Sequence, residues 1–289
     1  MITLDELLAD LDAEYDDLHA VVCDLTDGDP SWDLPTPAEG WAVRDQISHL
    51  AYFDGAGRLA MVDAEAFARS VEEVLVAEGD PMEVHLSRGR AMGGRDLLAW
   101  WEGAHRAMVE VFAAADPSHR VPWYGPPMGV RSFISARLME TWAHGQDVVD
   151  ALGVVRVPTN RLRHIAHLGV RARPFSYVVR GRDVPSGRID VVVMGPDGDE
   201  WSWTIGEGEG EGEGEGEGEG EGSRRPDRGG PSADRVNSVT GTALDFCLVV
   251  TQRRHVTDTG LVVKGALAED WMAVAQAFAG PPGPGRTAA

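Results

Sequence analysis

Met139-Glu-Thr-Trp-Ala-His-Gly-Gln-Asp147 is the stretch on which the reading of this chain turns. Glu140, His144 and Asp147 stand at i, i+4 and i+7, and residues three and four apart share one helix face. The same stripe runs backwards through Arg137 and Phe133. Glu, His and Asp among apolar neighbours are costly to bury unless their charges are paired or coordinated. A divalent cation is one such compensation. An exposed polar face with a lone histidine is the other reading, and spacing alone does not separate the two. The surrounding pattern predicts a helix from about Ser132 to Leu152, with Gly153 as its C-cap.

A second segment, Trp41-Ala-Val-Arg-Asp-Gln-Ile-Ser-His49-Leu50, begins another helix near Val43 that carries Ile47, His49, Leu50 and Phe53. His49 could supply a third ligand beside Glu140 and His144. Asp45, one turn earlier, could orient the His49 ring as carboxylates behind metal ligands commonly do. It could equally be a first-turn acid favoured by the helix dipole. Asp147 is the other candidate for holding a ligand in place. Three protein ligands leave one position open, which separates a catalytic zinc site from a structural one. A fourth ligand, from Asp147 or His105, would close the site.

Apolar residues at helical spacing (Leu4, Leu7, Leu8, Leu11, Tyr15, Leu18, Val22) predict a first helix, and Arg95 to Ala115 another. A further helix is expected over Asp63 to Val76. The segments from Asp27 to Gly40 and from Asp116 to Gly129 are rich in turn formers, and the second is expected to be irregular. Residues 1–153 thus read as a four-helix bundle, whose metal sites form where facing helices point side chains inward. From 154 to 280 the pattern changes to α+β. A helix over Asn160 to Arg173 precedes strands at 188–194 and 201–205, joined by Gly195-Pro-Asp-Gly198. A strand over Val236 to Thr240, a helix over Thr242 to Arg254, a strand over Leu261 to Lys264 and a helix over Glu269 to Phe278 complete it. Glu and Gly alternate over 206–222, an insertion that cannot bury apolar surface and is expected to be disordered, as is the tail at 281–289.

The formal charge is −21, and removing that tract's eight Glu still leaves −13. An acidic surface repels phosphate backbones, so nucleic acid is not an expected partner. No apolar run approaches the ~20 residues that span a bilayer. The N-terminus is acidic and does not read as a secretion signal, so the cytoplasm is the expected location. Lys264 is the one lysine, against 25 arginines, a bias of GC-rich bacterial coding. Cys23 and Cys247 lie in apolar stretches and read as buried free thiols.

Taken together, Trp41-x-Val43-Arg44-Asp45-x-x-x-His49-Leu50 and Glu140-x-Trp142-x-His144-x-x-Asp147-Val148 resemble the mycothiol-dependent maleylpyruvate isomerase family. The resemblance implies a DinB-like four-helix bundle in which His49, Glu140 and His144 bind a divalent metal, usually zinc. It extends to Gly241-Thr-Ala-Leu-Asp245-Phe-Cys-Leu-Val-Val-Thr-Gln-Arg253, similar to a C-terminal segment whose arginine is implicated in activity; that residue is Arg253 here. It likens the C-terminal domain to sterol-carrier-like α+β folds. The likeness is to an actinobacterial branch described only as metal-binding proteins. Where the enzymes carry a Trp-containing run before the arginine, this chain reads Cys247-Leu-Val-Val-Thr-Gln.

The resemblance implies mycothiol as the thiol cosubstrate and a small electrophile as substrate. Zinc favours the thiolate, which adds to an electrophilic carbon. An isomerase would then allow rotation and eliminate the thiol; a transferase would leave it attached. Arg253 would hold a carboxylate or stabilise enolate charge. The competing reading is a non-catalytic protein in which the metal braces the bundle and the C-terminal domain holds an apolar ligand. A paralogue that keeps the metal without activity is a third. Donor types alone leave nickel and iron open, and the chain is expected to be a monomer or homodimer. His164 with His167, and His255, are weaker ligand candidates. Trp123-Tyr124 could wall a pocket beside the metal helix.

Overall fold

The computed structural model describes residues 2–76, 83–206, 237–280 and 282. The expected disorder of the Glu-Gly tract beyond Gly206, and that of the tail Pro282 apart, falls outside the described residues. The chain divides into two compact units between Val157 and Pro158.

The first unit begins with α1 (Leu4–Val22), closed at its start by a capping box. Thr3 Oγ1 accepts from the Glu6 N–H at 3.2 Å, and Glu6 Oε2 accepts from the Thr3 N–H at 2.7 Å. Both satisfy donors that the first helical turn leaves without partners. Its Leu7, Leu8, Leu11, Tyr15, Leu18 and Val22 are buried. Each such leucine contributes about 1.5–3 kcal/mol by leaving water. Cys23 corrects the expectation of two buried thiols: it is exposed. It is the C-cap one position beyond Val22, and the turn carries it off the buried stripe.

A 3₁₀ turn (Pro30–Asp33) leads through a Pro35–Ala42 bridge into α2 (Val43–Val62), followed by α3 (Ala64–Val76), α4 (Glu83–Arg90) and α5 (Gly94–Ala113). The sequence reading assigns no element to Glu83–Arg90. A two-stranded hairpin, β1 (Arg120–Val121) and β2 (Met128–Gly129), gives order to part of the segment expected to be irregular. The interior helix α6 (Val130–Leu152) ends at Gly153, whose φ of +66 is the left-handed cap expected of it. The four long helices close a ring, α1 packing on α5 and α6 and α2 on the same two. Gly57 permits the approach of α2 to α6, since a Cβ there would lie 2.7 Å from the Phe133 ring. That approach brings together the helices that carry His49 and the Glu140–His144 pair.

The second unit opens with α7 (Leu162–Arg171) and α8 (Arg173–Val178). The helix expected over Asn160 to Arg173 corresponds to α7, and α8 follows it where the sequence reading assigns no element. Pro174 lies in the first turn of α8, where its missing N–H costs nothing. Strands β3 (Ile189–Met194) and β4 (Glu200–Ile205) form a hairpin, with Val191 opposite Trp203. Its turn is held by the Gly195 N–H donating to the Asp199 carbonyl at 2.8 Å. Then come β5 (Ser238–Thr242), α9 (Ala243–Val250), β6 (Val262–Lys264) and α10 (Ala266–Met272). The sheet order is β4-β3-β5-β6, with β5 parallel to β3 and the other pairs antiparallel. Alternate residues Ile189, Val191 and Val193 are buried, and α9 packs on β3. Both C-terminal helices are displaced from expectation. The helix α9 stops at Val250 because Gln252 takes a left-handed φ of +57, and α10 begins three residues before Glu269. No helix among the described residues is long and apolar enough to cross a membrane.

Candidate metal centre

Glu140 and His144 lie one turn apart on α6, and His49 faces them from α2. One ligand-type atom from each of the three lies within 4.8 Å of the others. Two imidazoles converge on one carboxylate oxygen. His144 Nε2 is 3.1 Å from Glu140 Oε2, and His49 Nε2 is 3.8 Å from the same atom. The rings of His49 and His144 stand 4.3 Å apart between centroids. Trp41 covers both, stacked on His144 at 5.8 Å and tilted to His49 at 5.2 Å. Phe53 closes the far side of His49 at 4.6 Å. The three side chains keep 11–21% of their surface, so solvent reaches the cluster.

Burial, reinforced by the neighbouring His144, pushes His49 down to about 3 against the pull of Glu140. Burial also pushes Glu140 up, but hydrogen bonding to His144 and His49 outweighs it and holds the carboxyl well below its usual range. A neutral imidazole and an ionised carboxylate are the forms that ligate metal. Two nitrogens and one oxygen are also a donor set that zinc takes in catalytic sites. On this chemistry the residues fit a divalent cation. Among the described residues no further Asp, Glu, His or Cys joins the three.

The other candidates fall elsewhere. Asp45 is buried, but its oxygens serve the Ala42 N–H at 2.9 Å and Arg90 Nε at 2.8 Å, and its hydrogen bonds do not reach His49. It is the first-turn acid of α2, which corrects its assignment as the group that orients His49. Gln46, one residue on, was missed and holds the His144 ring instead. Its Oε1 lies 2.5 Å from His144 Nδ1. Its Nε2 donates to Thr36 Oγ1 at 2.8 Å, and that hydroxyl donates to the Trp41 carbonyl at 2.9 Å. Asp147 is 1% exposed on α6, outside the cluster of three. His105 is not a fourth ligand: its Nε2 is 2.8 Å from Asp12 Oδ1 and its Nδ1 3.8 Å from Asp54 Oδ2. Asp54 in turn pairs with Arg137 at 2.9 Å.

Tyr124 lies edge-on to Phe53 at 5.5 Å, and Trp123 stacks on Phe67 at 5.8 Å. Through Phe53 this aromatic pair lies near His49. In the second unit, Arg253 follows the left-handed Gln252 and donates from Nη1 to the Thr251 carbonyl at 2.7 Å. His167 Nδ1 accepts from Trp203 Nε1 at 3.3 Å, and His255 caps the turn at Val256–Asp258 through Thr257.

The family model of the mycothiol maleylpyruvate isomerase N-terminal domain matches residues 11–149. Two proteins of Mycobacterium tuberculosis, the uncharacterised proteins MT0041 and Rv0036c, are each 39% identical to this chain over 279 residues. Those matches cover 96% of this chain and 97% of theirs. Crystal structures of the mycothiol-dependent maleylpyruvate isomerase and of a histidine-to-alanine mutant of it share the fold, with TM-scores of 0.53 and 0.54. Both are 15% identical and cover 91% of this chain and 93% of their own. Residues 11–149 thus belong to the mycothiol maleylpyruvate isomerase N-terminal domain family, and the whole chain belongs to one family with the two mycobacterial proteins.

Proposed function

We propose that this chain binds one divalent cation, zinc by its donor set, through His49, Glu140 and His144. With it the chain works as a mycothiol-dependent isomerase or thiol transferase on a small electrophile. The observation that carries this reading is the convergence of two imidazole nitrogens on one carboxylate oxygen at a spot that solvent still reaches. A cation held there lowers the pKa of a thiol and supplies thiolate at neutral pH. Mycothiol as that thiol is supported by the family and by the solved enzyme of the same fold.

The chain's own residues supply the setting. Gln46 holds the His144 ring, and Trp41 and Phe53 flank the imidazoles and limit water around them. The Phe53, Tyr124 and Trp123 rings, set at steep angles to one another, form an apolar aromatic cluster next to His49, which suits the apolar part of a small electrophile. Arg253 is the candidate to hold a substrate carboxylate, on the strength of the sequence resemblance. The metal-braced binding protein requires a fourth protein ligand, and none joins the cluster among the described residues.

The test is turnover. Zinc-loaded protein is incubated with mycothiol and a panel of small conjugated electrophiles. Double-bond isomerisation is followed by absorbance and S-conjugates by mass spectrometry. Turnover that needs both thiol and metal and is lost in His49→Ala is expected. Turnover indifferent to chelation, or no reaction across the panel with a fully loaded site, contradicts the reading.

A further inference from the structure

The contacts around Gln46 form a chain with only one possible direction. A backbone carbonyl accepts and never donates. The Trp41 carbonyl takes both the N–H of Thr36, at 2.8 Å, and its hydroxyl, at 2.9 Å. The Thr36 hydroxyl proton is therefore spent, and its oxygen is the acceptor for the Gln46 amide NH₂ at 2.8 Å. That fixes which end of the amide is which. The Gln46 oxygen then faces His144 Nδ1 at 2.5 Å and can only accept from it. Gln46 is fully buried and Thr36 nearly so, so water does not offer an alternative partner.

We infer that the relay Trp41 carbonyl, Thr36 hydroxyl, Gln46 amide holds the proton of His144 on Nδ1 and thereby reserves Nε2 as the ligating atom. Gln46 and Thr36 are positioning residues for the cluster. The inference deepens the metal reading above and rests on it only for its effect on affinity; the position of the proton is independent of any metal.

The relay has a chemical consequence. With one proton fixed on Nδ1, the 3.1 Å contact of His144 Nε2 with Glu140 Oε2 needs a positive centre between them, either a second proton, which makes the hydrogen bond to Glu140, or a cation that takes that proton's place. Without the relay, a neutral His144 could place its proton on Nε2, donate it to Glu140 and satisfy the cluster with no cation. Gln46 thus removes the neutral, Nε2-protonated ring as a competitor to metal binding. Groups behind metal-ligating histidines typically change metal affinity by about 10–100-fold.

Two measurements test this. In metal-free protein labelled with nitrogen-15, long-range proton–nitrogen correlation spectra report which ring nitrogen of His144 carries the proton when the ring is neutral. The relay predicts Nδ1 in the wild type and a switch to Nε2 in Gln46→Met. A wild-type ring protonated on Nε2 overturns it. Zinc affinity, from competition with a chromogenic chelator, should fall about 10–100-fold in Gln46→Met. It should be kept in Gln46→Glu, whose carboxylate still accepts from Nδ1. A Gln46→Glu loss as large as that of Gln46→Met reduces Gln46 to packing and overturns the relay. Thr36→Val, with Thr36→Ser as its rescue, carries the same comparison should Gln46→Met not fold. If the wild type binds no zinc while the proton sits on Nδ1, the metal reading fails and the relay stands.

Discussion

Helices α2 and α6 carry two polar clusters built in opposite ways. Asp54 and Arg137 are 2% and 3% exposed, and their 2.9 Å ion pair is joined by His105, which also holds Asp12. Charge is matched by charge there, and Asp54, Arg137 and His105 are sealed, with Asp12 half exposed at the edge. One turn along α6, Glu140 meets two imidazoles, and the three side chains stay 11–21% exposed. A buried pair balances itself and needs nothing further. A carboxylate between two imidazoles, with solvent at hand, is open to a ligand from outside. The contrast separates a structural network from a candidate site made of the same residue types.

The sealed cluster should give the largest effect. Asp54→Ala leaves Arg137 buried without its counter-charge and should cost about 3–5 kcal/mol in urea unfolding. Asp54→Leu combined with Arg137→Met should cost far less, since no uncompensated charge remains. A single variant as mild as the double one breaks the comparison.

The same cluster predicts a pH dependence. Burial pushes His105 down, but hydrogen bonds to Asp12 and Asp54 outweigh it and raise it to about 9. A folded-state pKa above the ordinary 6.5 favours the protonated ring in the folded state. The stabilisation is therefore complete below about pH 6.5 and fades as pH rises through about 9, by up to roughly 3 kcal/mol. Unfolding free energies between pH 6 and 10 measure it, and His105→Gln should flatten the slope.

Glu140→Gln should do the reverse of Asp54→Ala. Metal-free stability should fall less than in Asp54→Ala, because an amide at this position still hydrogen-bonds beside the imidazoles and leaves no charge buried without a partner. Zinc affinity should drop beyond the ~10–100-fold typical of groups behind the ligands. Added zinc at about 100 times its dissociation constant should stabilise the wild type by about 2.7 kcal/mol in thermal unfolding and the variant hardly at all.

The smallest effect lies in the other unit. Gln252→Gly should stabilise by up to about 1 kcal/mol in urea unfolding, because Gln252 occupies a left-handed φ of +57 that glycine adopts at no steric cost. A destabilised variant would show that the Gln252 side chain, which donates to the Ala275 carbonyl at 3.2 Å, outweighs the backbone strain.

What was legible in the sequence follows from range. The adjacency of Glu140 and His144 is a property of helix geometry, and the Gly153 cap and the Gly195–Gly198 turn are local signals. The position of His49 came with the family resemblance, because only packing of α2 on α6 sets it opposite Glu140. Gln46 was not legible: its role needs the loop through Thr36 and Trp41 to fold back onto α2, and a lone glutamine in a helix carries no pattern. Asp45 had two readings in sequence, and the N-terminal cap with Arg90 decided between them. The helix at Glu83–Arg90 lacks a sustained apolar stripe, and α8 is a six-residue helix opened by Pro174, a residue that reads more readily as a helix boundary.

The most direct test of the central claim is elemental analysis of purified protein incubated with zinc and then freed of loose metal. One divalent ion per chain is predicted for the wild type, and none for folded His49→Ala and Glu140→Gln. A wild type without bound metal, or variants that bind as much as the wild type, would contradict the account.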